Sequence, residues 1–171
     1  MSDAFRSFEW SDIGDIERGR PAMGEKMHVA VYRMFHYSLR SILEKTYGKE
    51  AGKRILVEAG RTAGREFCRH ALDLSLPPES FFRSLQQKMA ELGIGLLEVE
   101  HADYENMIFI LTISEDLDCS GLPATGETVC NYDEGLLMGI LESYIGREFM
   151  VMEINCWATG EYICRFHVAA I

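Results

Sequence analysis

The chain has 171 residues, which at about 100–200 residues per domain leaves room for one sizeable core and little for a second. Hydrophobic residues make up 47% of it and charged residues 26%, values that exclude a disordered chain or a coiled coil. Asp and Glu outnumber Lys and Arg by 27 to 17, and a formal charge of -10 argues against a surface built to neutralise a phosphate backbone, so no direct nucleic-acid partner is expected.

The first residues, MSDAFRSFEWSDIGDIERGR, carry mixed charge and no apolar signal core, and no stretch approaches the roughly 18 apolar residues of a membrane span. A cytoplasmic location is expected. Five cysteines cannot all pair within one chain, and a reducing compartment disfavours disulfides, so the cysteines call for another explanation. No repeat or Pro/Gly/Ser linker divides the sequence, which reads as an N-terminal arm over 1–23 and a single domain over 24–171.

In chain order, Met27, Val31, Met34, Phe35, Leu39, Ile42 and Leu43 recur at helical spacing between Gly24 and Tyr47, with Gly48 as terminator. A second helix is expected from Lys49 to about Leu72, where Gly52, Gly60 and Gly64 point to close backbone packing because glycine otherwise weakens a helix. Pro77 and Pro78 break the pattern, and a third helix starts near Glu79 and uses Phe82, Leu85, Met89 and Leu92. IGLLEVEH and NMIFILTIS read as a strand pair joined through Ala102–Glu105. Leu136, Leu137, Ile140, Leu141 and Tyr144 return to helical spacing from Tyr132 to Ile145, and REFMVMEINCW and EYICRFHVAAI flank a turn at Ala158–Gly160. The order ααα-ββ-α-ββ predicts an α+β fold with a mainly antiparallel sheet of about four strands covered by helices.

The chemistry concentrates in the last third. Cys130, Glu153, Cys156 and Cys164 combine three thiols and a carboxylate, ligand types that tetrahedral zinc accepts. Cys130 starts a helix, where the dipole favours a thiolate, and a turn centred on Gly160 would set Cys156 opposite Cys164. Residues 153 and 156 point to opposite faces of a regular strand, so a shared metal requires a bulge or bend near Asn155. Buried structural thiols are the competing reading, because free cysteine is among the most buried residue types and this spacing is not a standard zinc-finger pattern. His167 ranks second as a fourth ligand, since alternation from Cys164 puts it on the other strand face. Asp133 and Glu134 read as first-turn carboxylates, Cys68 as packing, and Cys119, in D-L-D-C-S-G, as a bystander or an exposed thiol. His28, His36, His70 and His101 have no local partner pattern.

From Val129 to Val168 the motifs C-N-Y-D-E-G-L-L-x-G-I-L, E-I-N-C-W-A-T-G and C-R-F-H-V resemble the 4-vinyl reductase-type, or hydrocarbon-binding, domain family. G-R-P-x-x-G at Gly19–Gly24 and V-Y-R at Val31–Arg33 look like its stand-alone members. The resemblance implies a fold related to that of small TRAPP tethering subunits, and a homodimer. Members of the family are sensors of phenol- and toluene-responsive activators, and one is a small protein of bacteriochlorophyll synthesis. In the aromatic sensors three cysteines and a glutamate hold zinc, which by motif implies Cys130, Glu153, Cys156 and Cys164 here.

The expected function is a zinc-stabilised domain that binds a small hydrophobic or aromatic molecule as sensor or carrier. Phe67, Phe82, Phe109 and Met138 are candidates for the pocket wall, with plain core packing as the competing role, and Trp157 could flank metal or ligand. The alternatives are an accessory protein or enzyme of tetrapyrrole vinyl-group reduction, and an assembly module like the tethering subunits. No dinucleotide motif or nucleophile elbow is present and no catalytic residue is assigned, so the non-enzyme reading leads.

Overall fold

The computed structural model describes residues 6–171; the first five residues of the expected arm lie outside the described part. A 3-10 turn over Trp10–Ile13 and a short helix α1 (Ile16–Gly19) lead into α2 (Val29–Tyr47), α3 (Lys49–Ala71) and α4 (Pro78–Leu92). Strands β1 (Leu96–Asp103) and β2 (Ile108–Ser114), helix α5 (Asn131–Ile145), β3 (Phe149–Asn155), a second 3-10 turn and β4 (Cys164–Ala170) follow. The sheet order is β1-β2-β4-β3 with every neighbouring pair antiparallel, so the α+β reading and its order of elements hold.

One face of the sheet carries the core. Phe109, Leu111 and Ile113 of β2, Phe149 and Val151 of β3, and Phe166 and Val168 of β4 point inward, while Met150, Met152 and Ile154 point out, as the two-residue period of a strand requires. Helix α4 lays Phe81, Phe82, Leu85 and Met89 on this face, with Pro78 at its first turn and Gly93 (φ 70°) closing it in the left-handed conformation. Phe81 stacks on Tyr144 of α5 at 3.6 Å between ring centroids.

Helices α3 and α5 cross backbone against backbone. A Cβ on Gly60 would stand 2.0 Å from the Tyr132 carbonyl oxygen, and one on Gly64 2.2 Å from that of Leu136. From the other side, Gly135 and Gly139 of α5 leave a Cβ only 1.9 and 2.1 Å from the carbonyl oxygens of Val57 and Arg61. No side chain fits in this seam. Beyond it, Arg61 and Arg65 of α3 clamp the Glu142 carboxylate at 2.7 and 2.8 Å.

Helix α2 forms where the periodicity predicts, but its polar face is the inward one. Its apolar stripe does not face the core: Met34, Phe35 and Ile42 are 66%, 67% and 59% exposed, and Val31 and Leu39 are exposed too. The inward residues are His36 and Arg40. Arg40 donates to the Val129 carbonyl and to Asn131 Oδ1 (3.0 Å), so the polar face of α2 is spent on the entry to α5.

Candidate metal centre and adjoining cavity

Four sulfur atoms converge where the β2–α5 connection, the start of α5 and the β3–β4 connection meet. Cys119, Cys130, Cys156 and Cys164 are all buried, and their Sγ atoms all lie within 4.8 Å of one another. Cys130–Cys156 and Cys130–Cys164 are 3.8 and 3.7 Å apart, and Cys119–Cys164 is 3.1 Å. Four thiolates at about 2.3 Å around tetrahedral zinc stand about 3.8 Å from one another. The buried cluster can therefore hold a metal ion.

Local structure delivers each thiol. Glu115 takes a positive φ of 52° and turns the chain off the end of β2. Asp116 Oδ1 then accepts the N–H groups of Asp118 (2.8 Å) and Cys119 (3.0 Å), a side-chain turn that directs Cys119 inward. Cys130 sits at the N-cap of α5, and Cys164 opens β4. Cys156 follows β3, its N–H bound to Thr159 Oγ1 at 3.0 Å within the 3-10 turn. The register of β3 on β4 shifts between Glu153 and Asn155, the bulge position that the sequence required. Glu153 and Cys156 both end up buried.

Cys130, Cys156 and Cys164 are brought together as expected, while Cys119 is no exposed thiol; it is fully buried in the cluster. Glu153 stands beside the four sulfurs, its Oε2 accepting the Cys130 N–H at 2.9 Å and its Oε1 without a donor. Burial, then the charge of Cys156, pushes the Glu153 carboxyl up to about 9. Hydrogen bonds from the other three thiols hold Cys156 low, whereas the same crowding together with burial raises Cys130 and Cys164. Four thiolates this close ionise together only around a cation. His167 lies on the other face of β4, and Cys68 is buried in α3 with its thiol pushed up to about 11 by burial. Trp157 packs edge-on against Tyr162 at 5.2 Å.

A second polar group adjoins the first. Asp116 Oδ1 lies 3.9 Å from Cys130 Sγ, and Asp116, Asp118 and Asp133 are all buried. Tyr32 donates to Asp118 Oδ1 at 2.5 Å, and Tyr37 donates to the Asp118 carbonyl at 2.9 Å. Burial and then the Asp118 charge raise Asp116 to about 6 and Asp133 well above the carboxylate range, and a carboxyl oxygen of each lies within 4.8 Å of the other and of Cys130 Sγ. Burial lowers His36, which keeps it neutral next to Asp118. The Oδ2 atoms of Asp116, Asp118 and Asp133 meet no donor.

Two of these carboxyls, Asp118 and Asp133, border a cavity of about 540 Å³ among the N-terminal turns, α2, α3 and the start of α5. Its apolar wall includes Trp10, Ile13, Ala63, Phe67 and Leu136. Trp10 is held there by stacking on His70 (5.4 Å) and by its backbone N–H, which donates to Glu66 Oε2 (3.0 Å). Phe67 thus lines the cavity. Phe82 and Phe109 pack on each other at 5.7 Å between α4 and the sheet, and Met138 is half-buried against the core. Trp10, Tyr32 and the aspartates carry no sequence signal for a pocket; only their convergence reveals it.

Residues 109–170 match the family model of the 4-vinyl reductase domain, a span that contains all four clustered cysteines. An uncharacterized protein of Methanocaldococcus jannaschii is 29% identical over 157 residues, 92% of this chain and 86% of that one. Among solved structures, a vinyl-4-reductase family protein from Methanocaldococcus jannaschii superposes with TM-score 0.65 at 20% identity over 98% of both chains. The phenol-responsive sensory domain of the transcription activator PoxR, solved with phenol, gives TM-score 0.66 at 15% identity over 86% of this chain and 78% of that one. A trafficking protein particle complex subunit 3 from Naegleria fowleri, covalently bound to palmitic acid, gives 0.64 at 15% identity over 86% and 97%. The family-model match thus spans residues 109–170, and the chain as a whole has the fold shared by a vinyl-4-reductase family protein and a TRAPP subunit.

Proposed function

We propose that residues 24–171 form one 4-vinyl reductase-type domain that binds a small hydrophobic molecule in the cavity, as a cytoplasmic sensor or carrier, with zinc in the adjoining thiol cluster. The observation that carries this reading is the cavity itself: about 540 Å³, walled by aromatic and aliphatic side chains with a few polar groups, within the roughly 300–1,000 Å³ of small-molecule sites. The likeness to a phenol-responsive sensory domain supports it at the level of fold. Phe67 belongs to this pocket, whereas Phe82 and Phe109 sit in the hydrophobic core and Met138 packs against it.

Cys130, Cys156 and Cys164 are three of the zinc ligands. The fourth is Cys119, whose sulfur already lies in the cluster, and Glu153 supports the shell by holding the Cys130 backbone. A closed four-ligand site is structural: it ties the β2–α5 and β3–β4 connections to the first turn of α5, which borders the cavity. Metal analysis of the purified chain tests this assignment. About one zinc per chain is expected, lost in Cys119→Ala and kept in Glu153→Gln; the reverse pattern restores Glu153 as the fourth ligand, and folded, metal-free protein with reactive thiols refutes the site. Native mass spectrometry of the purified chain tests the cavity through a co-purifying small molecule.

The exposed stripe of α2 supports a homodimer, since Val31, Met34, Phe35, Leu39 and Ile42 make a continuous apolar face that a second copy can cover. Phe35→Glu is expected to yield monomer in sedimentation. A dimer unaffected by that change would move the interface elsewhere.

A further inference from the structure

We infer that the cavity binds a neutral apolar molecule bearing a carbonyl oxygen, which accepts a hydrogen bond from the Tyr132 hydroxyl. This assignment rests on the ligand-cavity reading and narrows it to a chemical class. The deciding feature is which polar side-chain atoms of the wall stay open to a ligand. The Oδ2 atoms of Asp118 and Asp133 meet no donor, but they have no accessible surface, so a molecule in the cavity does not reach them. Asp118 Oδ1 is taken by Tyr32, and Glu25 is an exposed residue. What remains open is a pair of donors: the Tyr132 hydroxyl and the Trp10 indole N–H line the cavity without a hydrogen-bond partner among the described residues.

Tyr132 is the better fixed of the two. It stands in the first turn of α5, whose backbone is seated on α3 so closely that a Cβ on Gly60 would meet the Tyr132 carbonyl oxygen at 2.0 Å. Trp10 belongs to the N-terminal turns, which reach α3 through Glu66 and His70. A donor set in place before the ligand arrives costs no ordering on binding. Phe8, Ala63 and Tyr132 also line an adjoining pocket of about 420 Å³, so Tyr132 stands where the two spaces meet. Burial, then the charges of Asp133 and Asp118, push its hydroxyl up to about 12, and it therefore donates at neutral pH.

A carbonyl oxygen brings acceptor lone pairs and no proton, so it satisfies the open donor and asks for no acceptor in return. An alcohol can accept as well but leaves its own proton unpaired, and an ammonium brings only donors to a wall whose acceptors are closed or taken. A carboxylate would set a negative charge beside the buried Asp118. The hydrocarbon part of the ligand meets Trp10, Phe67 and Leu136.

Equilibrium dialysis of the purified protein against 2-acetonaphthone, 2-isopropenylnaphthalene and 2-naphthoate tests this at nearly constant shape, since the olefin replaces the carbonyl oxygen by a methylene and the acid replaces the methyl by an ionised oxygen. The ketone is expected to bind one per chain and at least tenfold tighter than naphthoate. Tyr132→Phe, checked for zinc content and melting temperature, should weaken the ketone at least fivefold and the olefin less than twofold. In the wild-type protein the carbonyl-carbon resonance of labelled ketone should move downfield of its position in hexane. A resonance that stays at the hexane position, or a substitution that leaves both ligands unchanged or weakens them equally, overturns the Tyr132–carbonyl bond and leaves the cavity reading standing. Naphthoate binding as tightly as the ketone overturns the neutral class. Failure of all three probes to bind folded protein overturns the cavity reading beneath it.

Discussion

The sulfur cluster and the carboxylate group are buried neighbours, 3.9 Å apart at Cys130 Sγ and Asp116 Oδ1, yet they solve opposite problems. The four thiols face one another and exclude everything but an ion that fits among them. The three carboxyls beside them keep oxygens that meet no donor, and Asp118 and Asp133 belong to residues that border a cavity. A closed set of soft ligands is completed by a small cation; the hard acceptors beside it are held by Tyr32 and by the backbone N–H groups of Asp118 and Cys119. The same few residues at the start of α5, Cys130 and Asp133, serve both, which places a structural site and a binding site on one helix turn.

The contrast between the two centres breaks most completely on metal removal. Structural zinc is worth on the order of 10–16 kcal/mol of apparent binding free energy in small zinc-folded peptides, so chelation should abolish cooperative unfolding, seen as loss of the near-ultraviolet dichroism transition. Gly135→Ala comes next, at about 3 kcal/mol or more in urea unfolding. Its methyl would meet the Val57 carbonyl at 1.9 Å and push α5 off α3, disturbing both centres together. Tyr32→Phe separates them: Asp118 Oδ1 loses its donor, at a cost of about 2 kcal/mol, while the absorption of cobalt-substituted protein, which reads the thiols, stays unchanged.

The smallest effect lies at the far end of α5 and touches neither centre. Burial works to raise Glu142, but the hydrogen bonds from Arg61 and Arg65 outweigh it and hold its carboxyl below the usual range. A carboxyl lowered in the folded state adds stability that is present above its unfolded value of about 4.3 and is lost as pH falls through the folded value. Glu142→Gln should therefore cost about 1 kcal/mol at neutral pH, after solvent screening of the partly exposed guanidiniums, and nothing once wild-type Glu142 is protonated. Melting temperatures of the two proteins should converge as the pH is lowered below about 4.

How far the sequence reaches differs between elements. Helix α4 is legible because Phe82, Leu85 and Met89 repeat at helical spacing between a proline start and a glycine stop, and all three are buried. Helix α2 is legible as a helix but not in its orientation: periodicity locates an apolar face and says nothing of what it faces. Gly60 and Gly64 announce a close approach, but their partners Gly135 and Gly139 lie more than seventy residues on, inside a motif whose most conspicuous residue is its cysteine. Cys119 has nothing near it that resembles a ligand pattern. Its signal is the Asp116 turn, which becomes visible only once that loop folds over the β3–β4 connection, where Thr125 and Gly126 bind the Ala158 carbonyl.

By itself the sequence determined the elements, their order and the thiols that have neighbours in a motif, because capping, periodicity and turn chemistry act over a few residues. The bulge near Asn155 also belongs to it, as a demand made by the spacing of Glu153 and Cys156. Tertiary structure alone decided the fourth sulfur, the outward stripe of α2 and the cavity. Each of these depends on groups from distant segments coming within a few ångströms, a distance set by packing and by the balance of buried polar groups across the whole domain.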